Sequence, residues 1–450
     1  MGDVCARISD WIINHMRKLL IFGSVFTLSL GCAFPLQNME ATKVVDVIEQ
    51  TGLHYDLNVI ISPEDQSIEA TVVINNPPDS SFFLYRDFEI TDLSANGTPA
   101  NYRTGTGQFF FTPVASQIVV ESDSIRTLQI SYHGSMTEPI MDVNMVTPDL
   151  VEIGLFPSWY PIFEGVPGPV EHSFNLQATL PDTFVVVSNG NRIDESGDDG
   201  RQSIRWSSDR KNFAIAIVGS PNFKRMEREF KGIKAESYYV NLTPEFVEGR
   251  MDQLLHGMDW FKGIYGEPRG EPEPKFIYSP RSSWGYVLSP AFMVSEEWTE
   301  NALQAPYSRA MDFRYSLHEI AHFWWLISED SWLDEGLAEF SAFRYIREHF
   351  DSDISERRYQ EYVDQAQSAT TPIAESEMES PDREAIYYAE VPLLFIKAQE
   401  LFGEDTLDHF LKGLYQDSTE AKLTTESFLQ KVQLELGPDA YSYFRDSLYD

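Results

Sequence analysis

The sequence predicts an α+β protein, with an N-terminal antiparallel β-rich domain (45–222) followed by a mainly helical domain (223–450). Three observations predict it. From about Tyr55 to Val218 the apolar residues form short alternating runs broken by Gly, Pro, Asn and Asp, as strands and tight turns require. Past Gly219 the apolar spacing changes to three and four, the period of a helix with one buried face. Hydrophobic residues are 42% of the chain and aromatic ones 13%, which suits sizeable cores and excludes a disordered chain.

At the N-terminus, Arg17 and Lys18 precede the apolar run Leu19–Gly31, and Cys32 follows. A basic stretch, a short apolar stretch and a small residue before a cysteine make the layout of a secretory signal. The run is too short to span a bilayer comfortably. It resembles a bacterial lipoprotein signal, which implies an exported chain, periplasmic or at the cell surface, attached to the membrane through a lipidated Cys32. Ser29 stands where a Leu is usual. Met16 opens a better signal than the fifteen residues before it, and an uncleaved amphipathic anchor is the other reading. Residues 1–32 are thus read as an export segment and 33–44 as a tether. Cys5 and Cys32 are the only cysteines, so the folded body has no disulfide and no thiolate metal site.

Within the β-rich domain, the strand-like runs are Leu57–Ile61, Ile68–Ile74, Phe109–Phe111, Gln117–Val120, Leu128–Tyr132 and Phe184–Ser188. The turn signals Asn75-Asn-Pro-Pro, Asn96-Gly, Ser188-Asn-Gly and Asp198-Asp-Gly separate them. Beyond Gly219, Met251, Leu254, Leu255, Met258 and Phe261 have helical spacing within Phe246–Tyr265, and Phe276–Tyr278 is a short strand. From Tyr307 onward the periodic segments are helical. A helix is expected over Ala310–Leu326, and another from Ser331, which caps it with Asp334 three residues on. The polar stretch Gln365–Glu384 reads as a loop or weak helix bordering a cleft, ahead of an apolar helix Val391–Phe402.

The formal charge of −36 argues against a nucleic-acid partner, whose phosphates would be repelled. It reads as a solvated acidic surface, or as a field that attracts basic peptides.

The sharpest local feature is His318-Glu319-Ile320-Ala321-His322, followed by Glu335 in Trp-Leu-Asp-Glu-Gly. Residues four apart share a helix face, so both imidazoles can reach one divalent ion, with Glu319 beside them as a general base. Glu335 can supply a third ligand and leave a fourth position open, as a catalytic zinc site requires. Glu339, one turn further, suits an acceptor for an imidazole N–H, or is a solvated helix acid. An oxyanion would still need a donor, for which Tyr387 and Tyr388 are candidates; adjacent tyrosines in a helical region are otherwise packing residues.

The segments HEIAHFWW, SWLDEGLAEF and YYAEVPLLFIKAQELFG, in this order, resemble the M1 family of gluzincin metallopeptidases (aminopeptidase N and leukotriene A4 hydrolase relatives). Tyr55-Asp-Leu-Asn-Val and Ile130-Ser-Tyr-His-Gly are similar to that family's N-terminal domain. The resemblance covers roughly residues 45–450. It implies a thermolysin-like zinc-peptidase domain, one Zn2+ per chain on His318, His322 and Glu335, Glu319 as base and a peptide or protein substrate. Alignment back from Gly403 places the family's catalytic tyrosine on Tyr388, with Tyr387 as the fallback.

Three departures stand out. The family places about eighteen residues between the second His and the ligand Glu, where this chain has only Phe323–Asp334. Its Gly-x-Met-Glu-Asn motif, which grips a free amine, is replaced by Trp284-Gly-Tyr-Val-Leu-Ser-Pro; Val287 or Leu288 stands where the acid belongs, and Glu296 and Glu297 align poorly. The family's large C-terminal helical domain has no counterpart after the catalytic helices. These departures leave open exo- or endopeptidase action, hydrolysis of a non-peptide substrate at the same zinc, and a non-catalytic cell-surface binding or assembly protein.

Overall fold

A computed structural model describes residues 52–107, 114–122, 124–140, 143–154, 156–165, 168–268, 273–281, 285–289, 292–297, 304–378, 380–418 and 422–449. The export segment, the tether and the expected strand Phe109–Phe111 lie outside the described residues. The first half is built on a large sheet of β1 (His54–Ser62), β2 (Ser67–Asn75), β3 (Phe88–Ala95), β4 (Thr98–Pro99), β5 (Thr127–Ser135), β6 (His172–Pro181), β7 (Asn191–Asp198) and β8 (Arg201–Asn212). Their spatial order is β7-β8-β6-β1-β2-β5-β3-β4. The β1–β6 pair is parallel and the other neighbours are antiparallel.

Alternation fixes which face is buried. In the β1–β2 register Tyr55 opposes Ile74, Leu57 opposes Val72, Val59 opposes Ala70 and Ile61 opposes Ile68. All eight are buried, while residues between them reach solvent. The hairpins close where the turn signals stand. Asn96 and Gly97 between β3 and β4, and Asp199 and Gly200 between β7 and β8, all have positive φ, as the tight turns matching strand twist require.

A second sheet carries the site. It contains β9 (Lys224–Phe230), β10 (Ile233–Tyr239), β11 (Lys275–Ser279), β12 (Tyr286–Ser289) and β13 (Phe292–Glu296), in the order β9-β10-β11-β13-β12. The pairs β10–β11 and β11–β13 are parallel; the two outer pairs are antiparallel. One face, with Tyr238, Ile277, Phe292 and Val294, joins the core of the β-rich half. The other, with Tyr239, Phe276, Tyr278 and Met293, joins the core of the helices.

Those helices are α1 (Pro244–Tyr265), α2 (Pro306–Ala321), α3 (Ser331–His349), α4 (Ser352–Ala366), α5 (Val391–Phe402), α6 (Glu404–Asp417), α7 (Thr425–Glu435) and α8 (Pro438–Tyr449). The helix expected over Ala310–Leu326 starts earlier, with Pro306 in its first turn, and ends sooner. After Ala321 the backbone tightens, with Phe323 and Trp324 N–H donating to Ile320 and Ala321 three residues back. Tertiary anchors draw the chain away: the Trp324 indole donates to the Gly266 carbonyl and that of Trp325 to Ser341 Oγ, each at 2.9 Å.

The expected cap is also different. Asp330, not Ser331, precedes α3, and its carboxylate is engaged by Thr425 N–H and hydroxyl. Asp334 instead reaches back to accept from the backbone N–H of Ile327 at 2.9 Å and Ser328 at 3.1 Å, pinning the short α2–α3 loop. Where α3 crosses α5 there is no room for a side chain: a Cβ on Gly336 would lie 2.1 Å from Val391 Cγ1.

Gly336→Ala should therefore destabilise the protein by about 1–3 kcal/mol in urea unfolding, through overpacking at this crossing. Asp334→Ala should cost about 1–3 kcal/mol by orphaning two loop N–H groups, while Asp334→Asn keeps an acceptor and should stay near wild type. Burial raises the Asp334 carboxyl from an ordinary 3.8 to about 6. The folded state thus holds this proton more tightly than the unfolded one. Its contribution to stability falls as pH rises from about 4 to about 6, a slope the Asn variant should lack.

Candidate active site

Three elements bring the site together. Helix α2 carries His318 and Glu319, with His322 at its C-cap; α3 carries Glu335 one turn in, and Glu339 a turn later. A π turn, Ile386–Glu390, carries Tyr388 just before α5. Its cause is visible in the sequence. Pro392 has no N–H to give the carbonyl four residues back, at Tyr388, and its ring crowds that carbonyl. The chain widens, and Val391 N–H bonds to the Ile386 carbonyl instead.

The three potential ligand atoms nearly touch. His318 Nε2 and His322 Nε2 are 3.2 Å apart, and Glu335 Oε2 lies 3.3 Å from the first and 3.6 Å from the second. Bonds of zinc length from a tetrahedral centre put neighbouring ligands about 3.3 Å apart. The triangle therefore fits one face of such a centre, and it is the one group of metal-binding type found among the described residues. The imidazoles are buried and Glu335 is 20% exposed, so the open side faces solvent past the carboxylate.

The electrostatics demand a cation. Burial opposes a charge on His318, yet Glu335 and Glu339 outweigh it and push its pKa up to about 10. His322 is raised by Glu335 in the same way. Burial would raise Glu335, but the two imidazoles hold it well below the usual carboxylate range. Without a metal, protons supply the positive charge that these groups are arranged to hold.

Glu319 is buried beside the triangle, and desolvation raises its pKa against the pull of both imidazoles. Glu339 is fully buried rather than a solvated helix acid, with Oε2 at 3.2 Å from His318 Nδ1. His322 Nδ1 faces the Trp325 carbonyl at 3.0 Å. Of the two tyrosines, Tyr388 reaches the site: its hydroxyl donates to Glu335 Oε2 at 2.9 Å, and its ring centroid is 5.5 Å from that of His318. Burial, then Glu335, holds its pKa well above the ordinary value, so it remains a donor. Tyr387 is fully buried among the helices.

Opposite, the Tyr315 hydroxyl of α2 accepts from Gly285 N–H at the start of edge strand β12. In that strand Val287 is half-buried and Leu288 buried. Glu297 is used elsewhere, accepting from the backbone N–H of Val240, Asn241 and Leu242. The sequence reading missed Arg314, Arg358 and Tyr362, which surround Glu339. Arg314 stands one turn before His318 and could have been read from that spacing; the other two come from α4 and leave no local signal.

No protein-family profile matches the chain, and no curated protein matches it by sequence. Solved structures do match. The M1 zinc metallopeptidase of Deinococcus radiodurans is 16% identical, over 89% of this chain and 94% of that one, with a TM-score of 0.68. A mutant of that protein bound to a Tyr-Ser-Ala substrate matches equally, over 89% and 95%, also at 0.68. Legionella pneumophila aminopeptidase A, in complex with aspartic acid, is 15% identical over 88% of this chain but 49% of its own length, with a TM-score of 0.69. The chain has the two-part fold of M1 zinc metallopeptidases, a β-rich region followed by a helical one, and places His318, His322 and Glu335 together within it.

Proposed function

We propose that this chain is a zinc-dependent peptidase, with His318, His322 and Glu335 as ligands, Glu319 as general base and Tyr388 as oxyanion donor. The observation that carries this is the near-tetrahedral spacing of three ligand atoms beside a buried carboxylate and a protonated tyrosine. Zinc held there would polarise the scissile carbonyl and acidify a water next to Glu319. The Glu319 carboxylate takes that water's proton as it attacks the carbonyl carbon, then returns it to the leaving amine nitrogen. The Tyr388 hydroxyl turns from Glu335 to the carbonyl oxygen as negative charge grows there. Glu319 must be ionised to act, so turnover falls at acid pH as its carboxylate is protonated. The solved structure of a similar fold with a Tyr-Ser-Ala substrate supports a peptide as the substrate class.

The apolar Val287 and Leu288, and the commitment of Glu297 to backbone N–H groups, favour cleavage that does not depend on a free amine. The basic-then-apolar run ending at Cys32 supports export and attachment by lipidation. Among the described residues no helix is long and apolar enough to cross a membrane.

Purified protein should carry about one zinc per chain. Glu319→Gln should keep the metal while kcat falls by about 10²–10⁴, and Tyr388→Phe should lower kcat by about 10²–10³. Mass spectrometry of a mixed peptide library should show acetylated and free N-termini cut alike. Undiminished turnover in Glu319→Gln would reject the mechanism. Digestion of esters or epoxides but not peptides would move the substrate class, and zinc binding with no turnover would favour a binding protein.

A further inference from the structure

We propose that Arg314, Arg358 and Tyr362 are positioning residues of the metal centre, acting through Glu339 to fix the orientation and tautomer of His318. The inference rests on the zinc reading above and extends it to a helix that contributes no ligand.

Glu339 is fully buried and surrounded by donors. Its Oε1 accepts from the Tyr362 hydroxyl at 2.5 Å and from Arg358 Nη2 at 3.1 Å. Its Oε2 accepts from Arg314 Nη1 and faces His318 Nδ1 at 3.2 Å. A carboxylate offers roughly four lone-pair sites, and four donors stand around this one. His318 Nδ1 is itself buried and makes no aligned hydrogen bond, so Glu339 is the acceptor toward which a small ring rotation would turn it. A proton kept on Nδ1 leaves the Nε2 lone pair directed at His322 and Glu335. The guanidiniums matter for a second reason: they pair with the charge of a fully buried carboxylate, which is costly to bury without cationic partners.

The support is uneven between the ligands. His322 Nδ1 faces a backbone carbonyl and needs no side chain to hold it. His318 depends on α4, whose buried residues are Ile354, Ser355 and Tyr362. A helix with so little apolar burial is docked chiefly by its polar contacts, so its docking and the geometry of His318 support each other.

The test is zinc affinity by chelator competition, with melting curves of the full chain with and without zinc. Tyr362→Phe removes one donor and keeps the ring. It should weaken zinc binding about tenfold or more, and lower the Tm of the zinc-loaded chain more than that of the zinc-free chain, so that the zinc-induced rise in Tm shrinks. Arg358→Gln should lose more, with partial recovery in Arg358→Lys; should Arg358→Gln not fold, Tyr362→Phe decides alone. Wild-type affinity in Tyr362→Phe, or an equal fall in Tm with and without zinc, overturns the proposal. A wild-type chain that binds no zinc overturns the zinc reading itself, and this inference with it.

Discussion

Everything about this site depends on placing three carboxylates, Glu319, Glu335 and Glu339, in a buried space a few ångströms across. Burying ionised acids is costly unless each finds a cation or a set of donors. Arg314 and Arg358 serve Glu339. Glu335 accepts from the Tyr388 hydroxyl, and its only cationic partners among the described residues are the imidazoles, which in the metal-free chain must be protonated to answer it. Glu319 has no ion-pair partner among the described residues, and burial raises its pKa. The chain thus folds around a deficit of positive charge at one point, between His318, His322 and Glu335. A divalent ion there would relieve the deficit and free the imidazoles to be neutral, which couples metal binding to the stability of α2 and α3.

That convergence needs α2 and α3 to meet at a fixed offset, and the connection between them is short. The chain manages it by leaving the helix at His322 in a tightened turn, anchoring Trp324 and Trp325 by their indoles, and using Asp334 to fasten the returning loop. Ser328 donates to the Leu423 carbonyl, and Leu423 N–H donates to Ile327, so the loop is also fixed to the α6–α7 connection. Fewer residues than the resembling family uses still deliver Glu335, because the loop is held from both sides.

What the sequence made legible was periodic or chemically paired at short range. The alternating runs of β1 and β2 and the Asn-Gly and Asp-Gly turns appear where the pattern put them. The i,i+4 histidines and Glu335 meet as their spacing required. The misreadings were of residues whose partners are distant in sequence. Ser331 and Asp334 looked like a helix cap, but Asp330 is drawn to Thr425 and Asp334 to the preceding loop. Nothing near Glu339 in the sequence announces Arg358 or Tyr362. The resemblance alone distinguished Tyr388 from Tyr387; in the structure the π turn at Pro392 turns the Tyr388 hydroxyl toward Glu335 while Tyr387 stays in the core.

The acids around β12 bear on the substrate proposed above. Glu152, fully buried, sits beside β12, but Arg281 grips it through Nε and Nη2 and the Tyr286 hydroxyl donates to it at 2.8 Å. A carboxylate so engaged cannot hold a substrate's ammonium group without giving up a buried guanidinium, which would then be left unpaired at a cost of several kcal/mol. Glu297 is tied in the same sense to three backbone N–H groups. Glu152 and Glu297 are thus both engaged by the protein itself, while in β12 Val287 is half-buried against the helical core and Leu288 is buried in the core of the β-rich half. On the peptidase reading proposed above, recognition would come from contacts along the peptide rather than from its terminal charge, and β12, an edge strand among the described residues, is suited to make them.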